Sequence, residues 1–189
     1  CYIHQIPSAI EMIEHLHGLG YETSCNIMAV SQANESQIET ALEMLCASPV
    51  DVIYLVDSYG SLYPETVDSL AVKYLEYGEK SGKKIGFHAH NNQNLAFANT
   101  IEALSYGVSY LDATASAMGR GAGNCAMELL LGFLKNPKYS LYDLLIFIEK
   151  YLLPLKAAGV QWGFDVQYML TGQLNRHPRE AMAFTAENR

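Results

Sequence analysis

The amino-acid sequence predicts an α/β fold built on a parallel sheet. Short runs of apolar, β-branched or aromatic residues recur along the chain, and a longer stretch with helical periodicity follows each run. The runs begin about 24 to 33 residues apart, which is the length of a strand–helix repeat. Nearly all-apolar strands that alternate with helices are typical of a parallel sheet that is covered on both faces or closed into a barrel.

Each predicted element rests on its own local pattern. The strand-like runs are residues 21–30, 51–56, 84–87 and 108–113. Helical periodicity covers residues 8–17, 36–46, 64–80, 95–106, 126–134, 141–156, 166–174 and 179–186. Pro64 suits the first turn of the third helix, and Pro154 interrupts or ends the helix over 141–156. One α/β unit followed by a helical C-terminal extension is the organisation that we expect.

Composition limits the functional classes. The 189 residues are 50% apolar and carry a formal charge of −8, with 20 acidic against 12 basic side chains. This balance argues against a partner with a phosphate backbone, so no nucleic acid is expected. No apolar run is long enough to span a bilayer and no signal-peptide pattern opens the sequence, so no membrane is expected. Four widely spaced cysteines favour a reduced, cytoplasmic setting.

The sharpest chemical motif follows the third strand-like run, where the sequence reads Gly-Phe-His-Ala-His-Asn-Asn over residues 86–92. Because side chains alternate along a strand, His88 and His90 point the same way at its carboxyl end. Two imidazoles there are able to hold one divalent cation. The alternative is that one histidine packs inward and the other is a solvated loop residue.

A glycine-rich segment, residues 119–124, follows the last strand-like run. Gly121 and Gly123 permit a positive φ and a close approach of the backbone to a ligand, and successive N–H groups there form an anion-binding nest. The alternative for the glycines is a tight turn with no ligand. Asn124, unlike the glycines, has a side-chain carbonyl oxygen that is able to complete the coordination sphere of a metal held by the two histidines.

Two polar residues follow the second strand-like run. Asp57 is a carboxylate able to orient a histidine or position a substrate, and Ser58 is able to donate to a substrate carboxylate. The alternative for Asp57 is that it only caps its loop. Asp112 suggests only a loop or strand-end role. In the tail, Tyr168 is a candidate proton donor, one of thirteen tyrosines in the chain.

Three of these motifs, in this order, resemble a known family. They are Asp57-Ser58-x-Gly60, His88-x-His90-Asn91 and Gly119-x-Gly121-Ala122-Gly123-Asn124. The set resembles the metal-dependent aldolase/acyl-transfer lyase family, the hydroxymethylglutaryl-CoA lyase-like TIM barrels, and is most similar to the 4-hydroxy-2-oxovalerate aldolase branch.

The resemblance implies a TIM (β/α)₈ barrel with its site at the carboxyl ends of the strands. It implies a Mn²⁺ or Mg²⁺ cofactor with His88 and His90 as ligands and Asn124 as a further ligand or neighbour. Asp57, Ser58, Gly121 and Gly123 would lie near a bound 2-oxo acid. The implied reaction cleaves or forms a 4-hydroxy-2-oxo acid through a metal-stabilised pyruvate enolate, with Tyr168 in the position of a catalytic tail tyrosine. Relatives also suggest a homo-oligomer.

The sequence also departs from the family pattern. The family has an Arg-Asp pair on its first strand, and no Arg-Asp dipeptide occurs here. By pattern the chain starts at the end of the fourth strand, near residues 2–4, and supplies strands five to eight. We therefore expect a partial barrel over residues 1–136 and a helical extension packed on it over residues 137–189. Arg120 stands where relatives carry a small residue, and Cys125 follows Asn124 where relatives that cleave CoA thioesters have a preceding cysteine.

An aldolase is the first functional hypothesis. A Claisen-type acyltransferase of the isopropylmalate synthase kind is the second, and the position of Cys125 disfavours thioester cleavage. The third is a non-catalytic remnant that only binds a metal or a keto acid without the Arg-Asp pair.

Overall fold

The structure, a computed structural model, describes residues 1–187, which form two compact units. The first unit comprises Cys1–Ser58, Leu62–His88 and Ala98–Asp112. The second comprises Tyr59–Ser61, Ala89–Phe97 and the described chain from Ala113 onward.

The first unit is built on a sheet of four strands within the described residues. The strands are β1 (Ser24–Ile27), β2 (Val52–Asp57), β3 (Lys84–Ala89, whose last residue belongs to the second unit) and β4 (Tyr110–Leu111). They lie side by side in chain order, and the pairs β1/β2 and β3/β4 are parallel. Sequential parallel order is that of neighbouring strands in a (β/α)₈ barrel, so the predicted α/β class and part-barrel fold are confirmed.

Helices alternate with the strands along the chain, as the periodicity predicts. They are α1 (Ile6–Gly18), α2 (Glu35–Cys46), α3 (Pro64–Ser81) and α4 (Ala96–Tyr106). Pro64 lies at the start of α3, and Gly82 ends that helix in the left-handed conformation at φ 71°. The core forms where the apolar strands meet the apolar helix faces. Its fully buried members include Ile27, Ile53, Leu55, Phe87, Leu42, Leu45, Val67 and Tyr74.

The expectation of a strand end at residues 2–4 is wrong in its register. Cys1 makes the strand-like contacts: its N-terminal amino group donates to the Asn26 carbonyl, and the Met28 N–H donates to the Cys1 carbonyl at 2.8 Å. Ile3–Gln5 is instead a turn of 3₁₀ helix. The Gln5 side chain accepts from the Tyr2 N–H while the Gln5 N–H donates to the Tyr2 carbonyl, both at 2.9 Å, and this closes the turn.

The second unit carries the helices of the C-terminal part. They are α5 (Met127–Leu134), α6 (Leu141–Phe147), α7 (Leu153–Ala157), α8 (Val166–Gln173) and α9 (Arg179–Glu187). The predicted helix over 141–156 is interrupted before Pro154, by a π-helical turn at Ile148–Leu152. Proline cannot donate to the carbonyl four residues earlier and its ring crowds that group, which here lies inside the wider turn. The predicted division at residues 136/137 stays a prediction.

Across residues 1–187, no helix has both the length and the apolar character needed to cross a membrane.

Candidate functional site

Asp57 and Ser58 lie where β2 ends in the first unit, and both are buried. An oxygen of Asp57 accepts from the Leu62 N–H at 3.3 Å, which is the loop-capping contact expected of an aspartate. The Ser58 hydroxyl oxygen accepts from the Ala29 N–H at 2.8 Å and so supports a residue held at φ 55°. Both side chains therefore shape the ends of β1 and β2, while their contact with a substrate stays a prediction.

His88 lies on β3 between two buried residues, Phe87 and Ala89. Its own side chain is half-buried, and its Nδ1 lies 2.9 Å from Oδ2 of Asp112. The strand register pairs Phe87 with Leu111, so the residues that follow them, His88 and Asp112, lie side by side. Histidines that ligate a metal through Nε2 usually have a carboxylate bonded to Nδ1, which orients the ring.

Asp112 is a functional candidate for which the sequence indicates only a loop or strand-end role. A strand-end role was expected for it, and the structure adds the bond to His88. The positions of the two residues in the sequence were the signal that could have indicated this contact. One apolar run has a histidine at its end, and the next run has an aspartate at its end. Because such ends meet in parallel neighbours, the two residues are natural partners.

In the second unit, the segment that holds Gly121 and Gly123 is a tight turn. Their φ angles are 63° and 79°, and a Cβ on Gly123 would lie 2.0 Å from the Ala117 carbonyl oxygen. Ser116 and Ala117 also have positive φ angles, 55° and 51°. Strained backbone of this kind persists only where surrounding contacts fix it, and it is common at ligand sites.

Asn124 is held at the end of this turn. Its side-chain Nδ2 donates to the Met118 carbonyl at 3.1 Å, and its backbone N–H donates to the Ala117 carbonyl at 3.2 Å. With the amide nitrogen engaged, Oδ1 is the Asn124 atom able to ligate a cation. His90 forms an antiparallel backbone bridge with Asn124, so the structure brings these two predicted residues together.

Tyr168 on α8 lies against the glycine turn of the same unit. A Cβ on Gly121 would lie 2.6 Å from Cε1 of the Tyr168 ring, so the ring occupies the space that this glycine leaves open. A cavity of about 610 Å³ in this unit is lined by both residues and by Trp162. The predicted tail tyrosine and the predicted glycine turn are therefore neighbours.

Asn92, one of the two amides that follow the His-x-His motif, fixes α8, a contact that its position in the sequence does not indicate. Its side chain is 3% exposed, and Nδ2 donates to the Tyr168 carbonyl at 3.1 Å. The same nitrogen lies 3.5 Å from the Thr171 hydroxyl, at the limit of a hydrogen bond. Gly172 completes this contact, because a Cβ there would lie 2.9 Å from the Gly60 carbonyl oxygen and 3.0 Å from Cβ of Asn92.

Arg120 is exposed within the glycine turn, and its charge reaches His177. Burial first, then the positive charges of Arg179 and Arg120, lower the pKa of the His177 imidazole. Its ring lies against Tyr59, with the centroids 5.5 Å apart. A neutral imidazole is the form that this environment favours.

The donor types fit a divalent cation. Imidazole nitrogen and amide oxygen both ligate such ions, His88 has the carboxylate partner of a ligand histidine, and Asn124 has its oxygen as the available donor. Within residues 1–187, no three side chains of His, Cys, Asp or Glu come together as a metal-binding group. The described residues thus offer donor atoms that suit a divalent cation, but only a few of them.

The chain is similar to known proteins over much of its length. Residues 4–144 match the family model described as HMGL-like. A 4-hydroxy-2-oxovalerate aldolase from Thermus thermophilus is 43% identical over 110 residues, which is 56% of this chain and 31% of the relative. An oxaloacetate decarboxylase from Mycobacterium tuberculosis is 34% identical over 124 residues, 65% of this chain and 36% of the relative. The chain therefore spans about a third of the length of each of these curated relatives.

Solved structures share the fold. The N-terminal domain of a "putative aldolase" from Bacteroides vulgatus superposes with a TM-score of 0.82 at 30% identity, covering 98% of this chain and 61% of that one. An HMG-CoA lyase from Bacillus subtilis superposes with a TM-score of 0.70 over 81% of this chain and 55% of that one, and at 18% identity it supports the fold alone. Because the family model covers well over half of its length, this chain belongs to the HMGL-like family.

Proposed function

We propose that this chain is part of a divalent-metal-dependent aldolase that cleaves or forms the carbon–carbon bond of a 4-hydroxy-2-oxo acid. The observation that carries the proposal is the contact between His88 Nδ1 and Asp112 at 2.9 Å. In a family whose relatives include named aldolases, a histidine oriented by a carboxylate at a strand end is the expected form of a metal ligand.

His88, His90 and Asn124 are the residues that would hold the cation, Mn²⁺ or Mg²⁺. A bound cation supplies Lewis-acid polarisation of the 2-oxo group. The bridge between His90 and Asn124 and the bond that fixes the Asn124 amide support this assignment. Asp57, Ser58, Gly121 and Gly123 are proposed to border the bound 2-oxo acid, the last two through backbone N–H groups.

The bond change itself is a retro-aldol reaction. The C4 hydroxyl loses its proton, the bond between C3 and C4 breaks, and its electron pair passes toward the 2-oxo group to give an aldehyde and the enolate of pyruvate. The enolate then takes a proton at C3. We propose the Tyr168 hydroxyl as a group that moves one of these protons, which its place beside the glycine turn supports.

Pyruvate release tests the proposal. The protein with Mn²⁺ is given a 4-hydroxy-2-oxo acid, and pyruvate is followed through NADH consumption by lactate dehydrogenase. We expect His88→Ala combined with His90→Ala to abolish turnover, and His15→Ala combined with His17→Ala, a matched pair on α1, to preserve it. Unchanged turnover in the first double variant would refute the proposal.

Oxaloacetate is the second candidate substrate, because one relative is named an oxaloacetate decarboxylase. Loss of CO₂ from oxaloacetate also leaves the enolate of pyruvate, so the same residues would serve. Parallel assays with the two substrates separate the reactions. Free-thiol release from an acyl-CoA with a keto acid would indicate the Claisen-type alternative instead, and tight Mn²⁺ binding without any turnover would indicate a non-catalytic protein.

We also propose a cytoplasmic location for the protein. The spacing of the cysteines supports a cytoplasmic protein. The predicted homo-oligomer stays a prediction.

A further inference from the structure

Tyr54, Asp112 and His88 form a chain of contacts across three strands of the first unit. Tyr54 is on β2, His88 is on β3, and Asp112 directly follows β4. Nδ1 of His88 lies 2.9 Å from Oδ2 of Asp112, and a hydrogen bond to Asp112 is one of the causes that raise the pKa of the Tyr54 hydroxyl. The Asp112 carboxylate thus has one partner on β2 and one on β3.

Gly86 makes the contact with Tyr54 sterically available. The Tyr54 ring lies beside this glycine, where a Cβ would be 2.5 Å from Cε1. Gly86 and His88 are two residues apart on β3 and so face the same side of the strand. Tyr54 therefore passes over β3 at Gly86 and meets Asp112, whose other partner is the histidine on that same side of β3.

The environment of Tyr54 keeps its hydroxyl a donor. Burial first, and then the charge of Asp112 and the hydrogen bond to it, raise the pKa of Tyr54 to about 12. A phenol that stays protonated has its proton directed at the carboxylate, and the carboxylate then accepts from both Tyr54 and His88.

We propose that Asp112 and Tyr54 are positioning residues that hold His88 as the tautomer with its proton on Nδ1, so that Nε2 carries the lone pair. Asp112 acts directly on the imidazole, and Tyr54 acts by fixing the carboxylate. This inference deepens the proposed function, since a metal-ligating or proton-accepting His88 needs that lone pair. It concerns the apo protein as well, because the contacts involve only residues of this chain.

Nuclear magnetic resonance tests the tautomer without a metal and without an activity assay. Long-range ¹H–¹⁵N correlations of the chelator-treated protein at pH 8, above the ordinary histidine range, report which ring nitrogen of His88 carries the proton. We expect Nδ1–H in the wild type, a shift toward Nε2–H in Asp112→Ala, and a smaller shift in the same direction in Tyr54→Phe. Tyr110→Phe, which removes a hydroxyl bonded to Lys84 on the same sheet, is the control and is expected to leave His88 unchanged.

An unchanged His88 tautomer in Asp112→Ala, or an imidazole protonated on both nitrogens in the wild type at pH 8, would overturn the proposal. An unchanged tautomer in Tyr54→Phe would overturn the part assigned to Tyr54. Titration of Mn²⁺ is the second readout, and we expect Asp112→Ala to weaken binding by roughly 10- to 100-fold. If the wild type releases no pyruvate while the tautomer result holds, the aldolase proposal fails and the positioning role stands.

Discussion

The ring of Tyr54 fills the space next to Gly86 that any side chain at position 86 would need. A Cβ built on Gly86 would lie 2.5 Å from Cε1 and 2.6 Å from Cδ1 of that ring. The two residues are on β2 and β3, both inside the first unit. Position 86 thus requires glycine because an aromatic ring packs against it, and not because of an unusual backbone angle.

Replacing Gly86 by alanine should therefore destabilise the protein. We expect Gly86→Ala to lower the free energy of unfolding by about 1–3 kcal/mol, the usual cost of overpacking a core. Urea denaturation followed by circular dichroism measures the change. Gly18→Ala is the matched control, because nothing lies within 4 Å of a Cβ at that end of α1 and alanine favours a helix by up to about 1 kcal/mol. Equal stability of the two variants would contradict the packing argument.

Removing the Asn92 side chain should loosen α8. In Asn92→Ala the carbonyl of Tyr168 loses the Asn92 amide and keeps the Thr171 hydroxyl at 2.8 Å, so we expect a cost of about 0.5–1.5 kcal/mol, the net contribution of one hydrogen bond. Hydrogen exchange read by mass spectrometry should show faster exchange of the α8 amides. Gln173→Ala, an exposed position on the same helix, is expected to exchange like the wild type. Wild-type protection of α8 in Asn92→Ala would show that this contact does not hold the helix.

Tyr168→Phe should separate chemistry from packing. The substitution keeps the ring that lies against Gly121 and removes only the hydroxyl. If that hydroxyl moves a proton in the reaction, the turnover number should fall roughly 10²- to 10⁴-fold with little change in the unfolding curve. Tyr151→Phe, a substitution at an exposed tyrosine of the second unit, should keep full turnover. Wild-type turnover of Tyr168→Phe would remove this residue from the mechanism.

Asp51 gives the stability of the first unit a defined pH dependence. The Thr23 N–H, at 2.7 Å, is the main cause that lowers the pKa of this carboxyl. A carboxyl whose pKa is lower in the folded protein contributes stability above its unfolded pKa of about 3.9 and loses that contribution as the pH falls through the folded value. We expect Asp51→Asn to be less stable than the wild type at pH 7, with the difference disappearing in strong acid.

Urea midpoints across this pH range measure the effect. Glu11→Gln, which changes an exposed carboxylate on α1, should differ little from the wild type at either end of the range. A difference between Asp51→Asn and the wild type that stays constant with pH would show that the charge of Asp51 has no role.

The sequence alone predicted the elements whose cause is local. The alternation of apolar runs with helical periodicity predicted the strands and the helices, and Pro64 marked the start of α3 because proline suits a first turn. The spacing of His88 and His90 predicts a shared face for the same reason, because along a strand position in the chain fixes the face, and their role as metal ligands stays a prediction. Proline likewise marked the interruption of the helix over 141–156, while the local pattern failed at residues 2–4, where backbone hydrogen bonds form a 3₁₀ turn.

Tertiary structure alone decided which side chains meet. Asp112 is 24 residues from His88, and Asn92 is 76 residues from Tyr168, so no periodicity along the chain connects the members of either pair. Strand register brings Asp112 beside His88, and a buried amide needing an acceptor joins Asn92 to α8. Such contacts depend on how distant segments pack, because a buried polar group is satisfied by whichever partner the fold brings within reach.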